Sequence, residues 1–157
     1  MSLKLVRLDD RLIHGQVVVG WGNALGAEQI LLIDDHVAEA QWERDLYRLG
    51  VPENVEVTFA SVADAPAELD EIVKSDKRVI VVIADVDSLI RVCHASSAVR
   101  RVNIGGLHDR EGRRRRLPYV FLSDLEGEEL KMLAAEGVEL TARDVPSAKA
   151  VPLSEIL

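Results

Sequence analysis

Val79-Ile80-Val81-Val82-Ile83 is an unbroken run of β-branched apolar residues, closed by Ala84 and Asp85. A strand with one wet face alternates apolar and polar residues, and this run does not alternate. The pattern predicts a central parallel strand buried on both faces. Two buried faces need two covering layers, and in a parallel sheet the crossover helices supply them. Further strands are predicted at Leu3–Leu8, Gln29–Ile33, Val55–Phe59, Val99–Ile104, Tyr119–Leu122 and Val138–Thr141. Helices are predicted between them. One runs from about His14 or Gly15 to Leu25, although its Val- and Gly-rich interior has poor intrinsic propensity. Burial must hold it, and its glycines would let it approach a sheet closely. Another covers Val37–Leu49, with Trp42, Leu46 and Leu49 on one face. Ser61 is expected to cap a helix through Val73, and Asp85 or Asp87 one through about His94. Ser123 should cap the last helix, to about Glu136, with Gly137 ending it. Gly50–Asn54 reads as a turn, Leu107–Leu117 as an exposed loop, and the two-proline tail as an edge strand or docked coil. The fold class expected is α/β: a single domain over residues 1–157, with an open, twisted, mostly parallel sheet and helices on both faces.

Composition narrows the function. A length of 157 residues with 48% hydrophobic content supports one buried core and argues against disorder. A net charge of −8 opposes generic nucleic-acid binding, which rests on excess Lys and Arg. No apolar run approaches the roughly 18–20 residues that cross a bilayer, so membrane insertion is not expected. The chain opens on a strand-like segment without the basic and apolar regions of a secretory signal. Cys93 is the single cysteine, which excludes an internal disulfide and a Cys-rich zinc site. A cytoplasmic location is the expectation.

Chemistry concentrates in Arg7–Val17, RLDDRLIHGQV, where the first strand hands over to the first helix. In open parallel sheets ligands collect beyond the carboxyl ends of strands, near a switch in topology. Asp34, Asp35, Asp85 and the Gly105–Gly106 turn fall at equivalent ends. His14 stands at a helix start, where unpaired backbone N–H groups favour an anion. Arg11 and Arg7 offer forked donors suited to phosphate oxygens. Asp9 or Asp10 can orient the ring or hold Arg11, and Gln16 is an uncharged donor in the first turn. A nucleophilic ring nitrogen, a phosphate cradle and an orienting carboxylate are the parts of a phosphohistidine site. The same groups would also serve as a structural salt-bridge network capping the helix. His36, His94 and His108 lack such a setting, although His108 lies on the glycine-rich loop and can face the site. A metal at His14, Asp9 and Asp10 is disfavoured by Arg7 and Arg11. Asn103–Leu107, NIGGL, carries no nucleotide-binding pattern. No metal and no cofactor are expected.

With these residues in view, RLDDRLIHGQV resembles the active-site segment of the IIB component of the bacterial phosphotransferase system, mannose/fructose/sorbose class. Trp21, ILLIDD (residues 30–35), VIVVIAD (79–85), VNIGGLH (102–108) and EGVELTARDVP (136–146) extend the resemblance over nearly the whole chain. The resemblance implies a protein-N(π)-phosphohistidine–sugar phosphotransferase. His14 would take a phosphoryl group from a phosphohistidine of the IIA component. It would then pass the group to the 6-position of a sugar brought by the membrane components IIC and IID. Arg11 would contact the phosphoryl group, with Asp9 and Asp10 in the surrounding loop. The site should be shallow, since partners must reach His14. Sugar identity and oligomeric state are not legible.

Two other readings compete. One is a regulatory phosphoprotein or binding module with the same fold and no transport partner. The other, a receiver-like signalling domain, needs an aspartate at the third strand end and a lysine at the fifth. This chain has FAS (59–61) and NIGG (103–106) there. One feature departs from the family pattern: seven arginines fall between Arg100 and Arg116. The loop Arg110 to Arg116 is either a solvated surface or a guide for an acidic partner.

Overall fold

In the computed structural model, which describes residues 2–157, Val79–Ile83 is strand β4 and all five of its residues are buried. Strand β1 (Leu3–Asp9) pairs with it in parallel on one side and β2 (Gln29–Ile33) on the other. The pleat sends Val79, Val81 and Ile83 into one apolar layer and Ile80 and Val82 into the other. That two-sided burial is why the run shows no polar alternation.

The sheet has seven strands in the order β3 (Glu56–Ala60), β2, β4, β1, β5 (Arg101–Gly106), β8 (Glu139–Ala142), β9 (Val151–Pro152). Every pairing is parallel except β8 with β9. From β1 the chain steps outward to β2 and β3, then reverses to β4 and crosses β1 to reach β5 and β8. Right-handed crossovers running in opposite directions place their helices on opposite faces. The larger layer accordingly receives α4 (Ala65–Lys74), α5 (Val86–Ala95) and α6 (Asp124–Ala135). The smaller receives Val17 and Trp21 of the first helix and Val37 of α2 (Asp35–Glu39), with Tyr47 of α3 (Gln41–Leu49) against its edge. β1 leaves the sheet toward the smaller layer while both its neighbours leave toward the larger. Its carboxyl end is therefore a switch point.

Helix capping follows the sequence in part. Asp85 accepts the Ser88 N–H at 2.8 Å, and Ser123 and Glu126 form a reciprocal capping box at the start of α6. Ser61 differs from expectation. Its hydroxyl accepts the Asp64 N–H in the turn before α4, and the helix itself starts at Ala65. Val37–Leu49 is two helices, broken at an extended Ala40. Trp42, Leu46 and Leu49 do share a face of α3, but it is the solvent face. Tyr47 turns inward instead, onto Phe59.

Three further expectations change. The first helix is wound as a π-helix over Gln16–Trp21 before one α turn, α1 (Gly22–Leu25), which Gly26 ends at φ +61°. Val17 and Trp21 carry its buried face, while the close approach at Gly20 is to Pro146 rather than to the sheet. The supposed exposed loop Leu107–Leu117 contains a buried Leu107 and a strand, β6 (Arg114–Leu117), paired antiparallel with β7 (Val120–Leu122). The tail is both alternatives at once: edge strand β9, then a 3-10 turn at Leu153–Glu155 with Leu153 and Ile156 buried.

Candidate functional site

Asp9, the last residue of β1, is fully buried and anchors the site. Its Oδ2 accepts hydrogen bonds from Arg7 Nε at 3.0 Å and Arg11 Nη2 at 2.8 Å, and lies 3.2 Å from His14 Nε2. Its Oδ1 accepts the Arg11 backbone N–H and Arg11 Nε, both at 3.0 Å. Burial by itself would raise the Asp9 carboxyl. Hydrogen bonds from His14 and Arg11 and the charge of Arg7 outweigh it and hold the group well below the usual carboxylate range.

The loop after Asp9 is short and strained. Asp10 N–H donates to Gly106 O at 2.9 Å, and Leu12 N–H donates back to Asp9 O at 3.2 Å. Closing this turn puts Leu12 at φ +64°, a left-handed conformation that costs a γ-branched residue on the order of 1 kcal/mol or more. Ile13, buried in the smaller layer with Leu12 packed against it, helps hold the turn in place. The turn delivers His14 back over Asp9, its side chain 20% exposed. A carboxylate only accepts, so the pairing with Asp9 places the ring proton on Nε2. Nδ1 faces the backbone N–H of Gln16, which donates to it at 3.3 Å. The ring nitrogen that keeps its lone pair is therefore Nδ1, at the start of the π-helix.

The four other residues singled out in the sequence divide by role. Arg11 has one guanidinium edge on Asp9, is 27% exposed, and its Nη1 donates to none of the described residues. Arg7 is a correction. It is fully buried and donates to Asp9, to Asn103 Oδ1 at 2.6 Å, to Arg143 O at 3.1 Å and to Asp144 O at 2.9 Å, with Trp21 stacked 5.4 Å from its Cζ. Four of its five N–H donors orient Asp9 and tie β1 to β5 and the end of β8, and full burial closes the group to a ligand from outside. Gln16 acts through its backbone: that N–H donates to His14, while its carboxamide oxygen is buried without a donor. Asp10 turns away from the ring. Its oxygens accept His108 N–H at 2.8 Å and sit 2.5 Å from His108 Nδ1, with Arg113 Nη1 at 3.6 Å.

Gly105 and Gly106 have a physical reason to lack side chains. A Cβ on Gly105 would land on the Arg7 guanidinium, and one on Gly106 would lie 2.8 Å from Arg11 Nη2. The other strand-end aspartates are spent on backbone: Asp34 accepts Val37 N–H at 3.0 Å and Asp35 accepts Val62 N–H at 2.8 Å. Among the described residues no three His, Cys, Asp or Glu side chains converge to hold a metal, and no helix is long and apolar enough to cross a membrane. Sequence reasoning missed Asn103 and Asp144. Asn103 had a signal: a polar residue in the middle of an otherwise apolar strand needs a buried partner.

The fold and site define an α/β protein with a part-exposed histidine held on a buried aspartate, flanked by two arginines, at the carboxyl edge of its mostly parallel sheet. The chain belongs to the family described as the PTS system sorbose subfamily IIB component, whose model matches residues 3–157. It is 24% identical to the fructose-specific EIIB component of Bacillus subtilis, covering 100% of this chain and 96% of that protein. It is 26% identical to the mannose-specific EIIAB component of Escherichia coli K12, covering 100% of this chain and 49% of that one. The crystal structure of the IIBSor domain of the sorbose permease from Klebsiella pneumoniae superposes with a TM-score of 0.89 at 29% identity, covering 99% of this chain and 96% of that one. As a IIB component the chain is part of the sugar phosphotransferase system.

Proposed function

We propose that this chain is a cytoplasmic phosphocarrier that accepts a phosphoryl group on His14 Nδ1 from the phosphohistidine of a IIA partner. It then delivers that group to a sugar hydroxyl presented by IIC and IID membrane components. The observation that carries the reading is the pairing of His14 Nε2 with buried Asp9 at 3.2 Å, which leaves Nδ1 as the ring nitrogen with a lone pair, met among the described residues only by the long 3.3 Å contact from Gln16 N–H. In the first step that lone pair attacks phosphorus, the P–N bond of the donor breaks, and the donor imidazole leaves. The proton on Nε2 stays where Asp9 stabilises the cationic character that develops in the ring. Gln16 N–H, already at Nδ1, and Arg11 Nη1, which has no partner among the described residues, are the donors for the phosphoryl oxygens. In the second step the sugar hydroxyl oxygen attacks, the P–Nδ1 bond breaks, its electron pair returns to Nδ1, and the hydroxyl proton is released to water.

Joining of a IIA and a IIB region in the mannose-specific relative supports a IIA donor. The three relatives carry names for three sugars at similar identity, so no sugar is assigned. The test is incubation with a phosphorylated IIA protein of the mannose class. Acid-labile, base-stable phosphate should appear on the chain and be lost in His14→Ala. Phosphate retained at full level in that variant would sink the assignment.

A further inference from the structure

We propose that Asp144 is a positioning residue that acts through Arg11 to keep the phosphohistidine easy to discharge, an inference that rests on His14 being the phosphoryl acceptor. Asp144 lies just after β8 and meets both Arg7 and Arg11. Its backbone is fixed independently of its side chain: the carbonyl accepts Arg7 Nη2 at 2.9 Å and Trp21 Nε1 at 3.2 Å. Its carboxylate Oδ1 is shut off from solvent and accepts no hydrogen bond from the described residues. The nearest cations are Arg11 Nη2 at 3.6 Å and Arg7 Nη2 at 4.0 Å.

Charges explain what this carboxylate does. Arg7 and Arg11 face Asp9 and Asp144, so the empty site is balanced at two against two. Asp10 is outside this balance, held by His108, Arg110 and Arg113, and Arg143 forms no ion pair among the described residues. Asp9 is saturated with donors, whereas Asp144 has an acceptor oxygen with nothing on it. A phosphoryl group on Nδ1 adds negative charge and competes for Arg11. Asp144 then loses its cation and repels the new anion. The loaded state is raised relative to the empty one, which is useful to a carrier whose phosphoryl must move on. Without Asp144 the site would have a net positive charge and would retain its cargo.

The experiment mixes the full chain with a phosphorylated IIA protein carrying labelled phosphate and measures how the label divides between the two at equilibrium. Asp144→Asn should shift the division toward this chain roughly tenfold at low salt, the size expected for one charge several ångströms away in a partly hydrated site. The shift should shrink in high salt. The hydrolysis half-life of the phosphorylated form should lengthen, and Asp144→Glu should restore the wild-type division. Asp144→Ser repeats the charge removal should the Asn variant fold poorly. A purely structural role would leave the division unchanged or move it toward the donor, and either result overturns the proposal. Failure of the wild-type chain to take label on His14 would instead remove the function on which the inference rests.

Discussion

Arg7 and Arg11 meet at the carboxyl end of β1, while Arg113 to Arg116 line the β6–β7 hairpin, and Asp10 joins the two regions. In the first region two guanidinium groups converge on one fully buried carboxylate, with a histidine on the same oxygen. In the second the carboxylates lie nearer the surface, Glu126 at 19% and Asp124 at 82% exposed. Arg113 grips Glu126 with two hydrogen bonds of 2.9 Å and is 5% exposed, while Arg114 and Arg116 share the exposed Asp124. Burial raises the Glu126 carboxyl, but the Arg113 bonds prevail and hold it below its ordinary value. The same residue type thus builds a low-dielectric charge cluster around His14 in one place and a surface brace in the other. What separates them is whether the carboxylate partner is shut away from water.

The largest expected effect tests the buried end of that contrast. Asp9→Asn keeps the shape but leaves Arg7 a buried cation without its main anion, with an amide N–H group facing donors. A loss of about 3–5 kcal/mol is expected, as for breaking a buried ion pair. The pH dependence gives a second readout. Asp9 is depressed in the folded state, so near pH 4 and below the unfolded chain binds a proton that the folded chain does not. Its contribution is fully present above about pH 4 and is lost as pH falls through the lower folded value. Urea unfolding across this range should show a shallower acid slope in Asp9→Asn. A loss below about 1 kcal/mol with an unchanged slope would mean that Asp9 does not balance Arg7.

The glycine pair sharpens the same contrast at intermediate size. Gly105→Ala forces a methyl group into the Arg7 guanidinium, which four hydrogen bonds hold in place. About 1–3 kcal/mol should be lost, as for overpacking. Gly106→Ala meets Arg11, whose end is 27% exposed and able to swing. It should cost less stability but slow phosphoryl acceptance by His14. Denaturation and phosphorylation rates measured on both variants separate the two. Equal stability losses would break the assignment of Arg7 as the rigid partner and Arg11 as the mobile one.

How much of this was legible depends on whether a residue's role is local. VIVVI announced its own burial, and Ser123 announced a cap, because the periodicity or the residue's local chemistry is the cause. Asp9 and Asp10 are adjacent and chemically identical, so no local rule separates them. The turn that sends one under His14 and the other toward His108 is closed by Gly106 of a distant strand. Arg7 looked like a phosphate ligand because its partners, Asn103 and the carbonyls of Arg143 and Asp144, come from β5 and the end of β8. Trp42, Leu46 and Leu49 had helical spacing, but spacing fixes which residues share a face and not which way the face points. Ala40 broke the helix and left that stripe outside.

The smallest effect on stability, and the sharpest test of the hairpin, comes from its exposed cations. Neutralising Arg113 to Arg116 together would confound docking with folding, because Arg113 braces α6 and Arg116 donates to Leu122 O. Arg110, Arg114 and Arg115 are exposed and can be changed without loosening either brace. Arg115→Gln should alter stability by no more than ~0.5 kcal/mol, as for surface positions in general. If the hairpin steers an acidic donor surface toward His14, replacing all three by Gln should slow phosphoryl transfer from a IIA protein several-fold at low salt. The wild-type and variant rates should converge as salt screens the interaction. Rates that already coincide at low salt would leave the hairpin as a brace alone, with Arg11 and Asp144 as the charges that govern transfer.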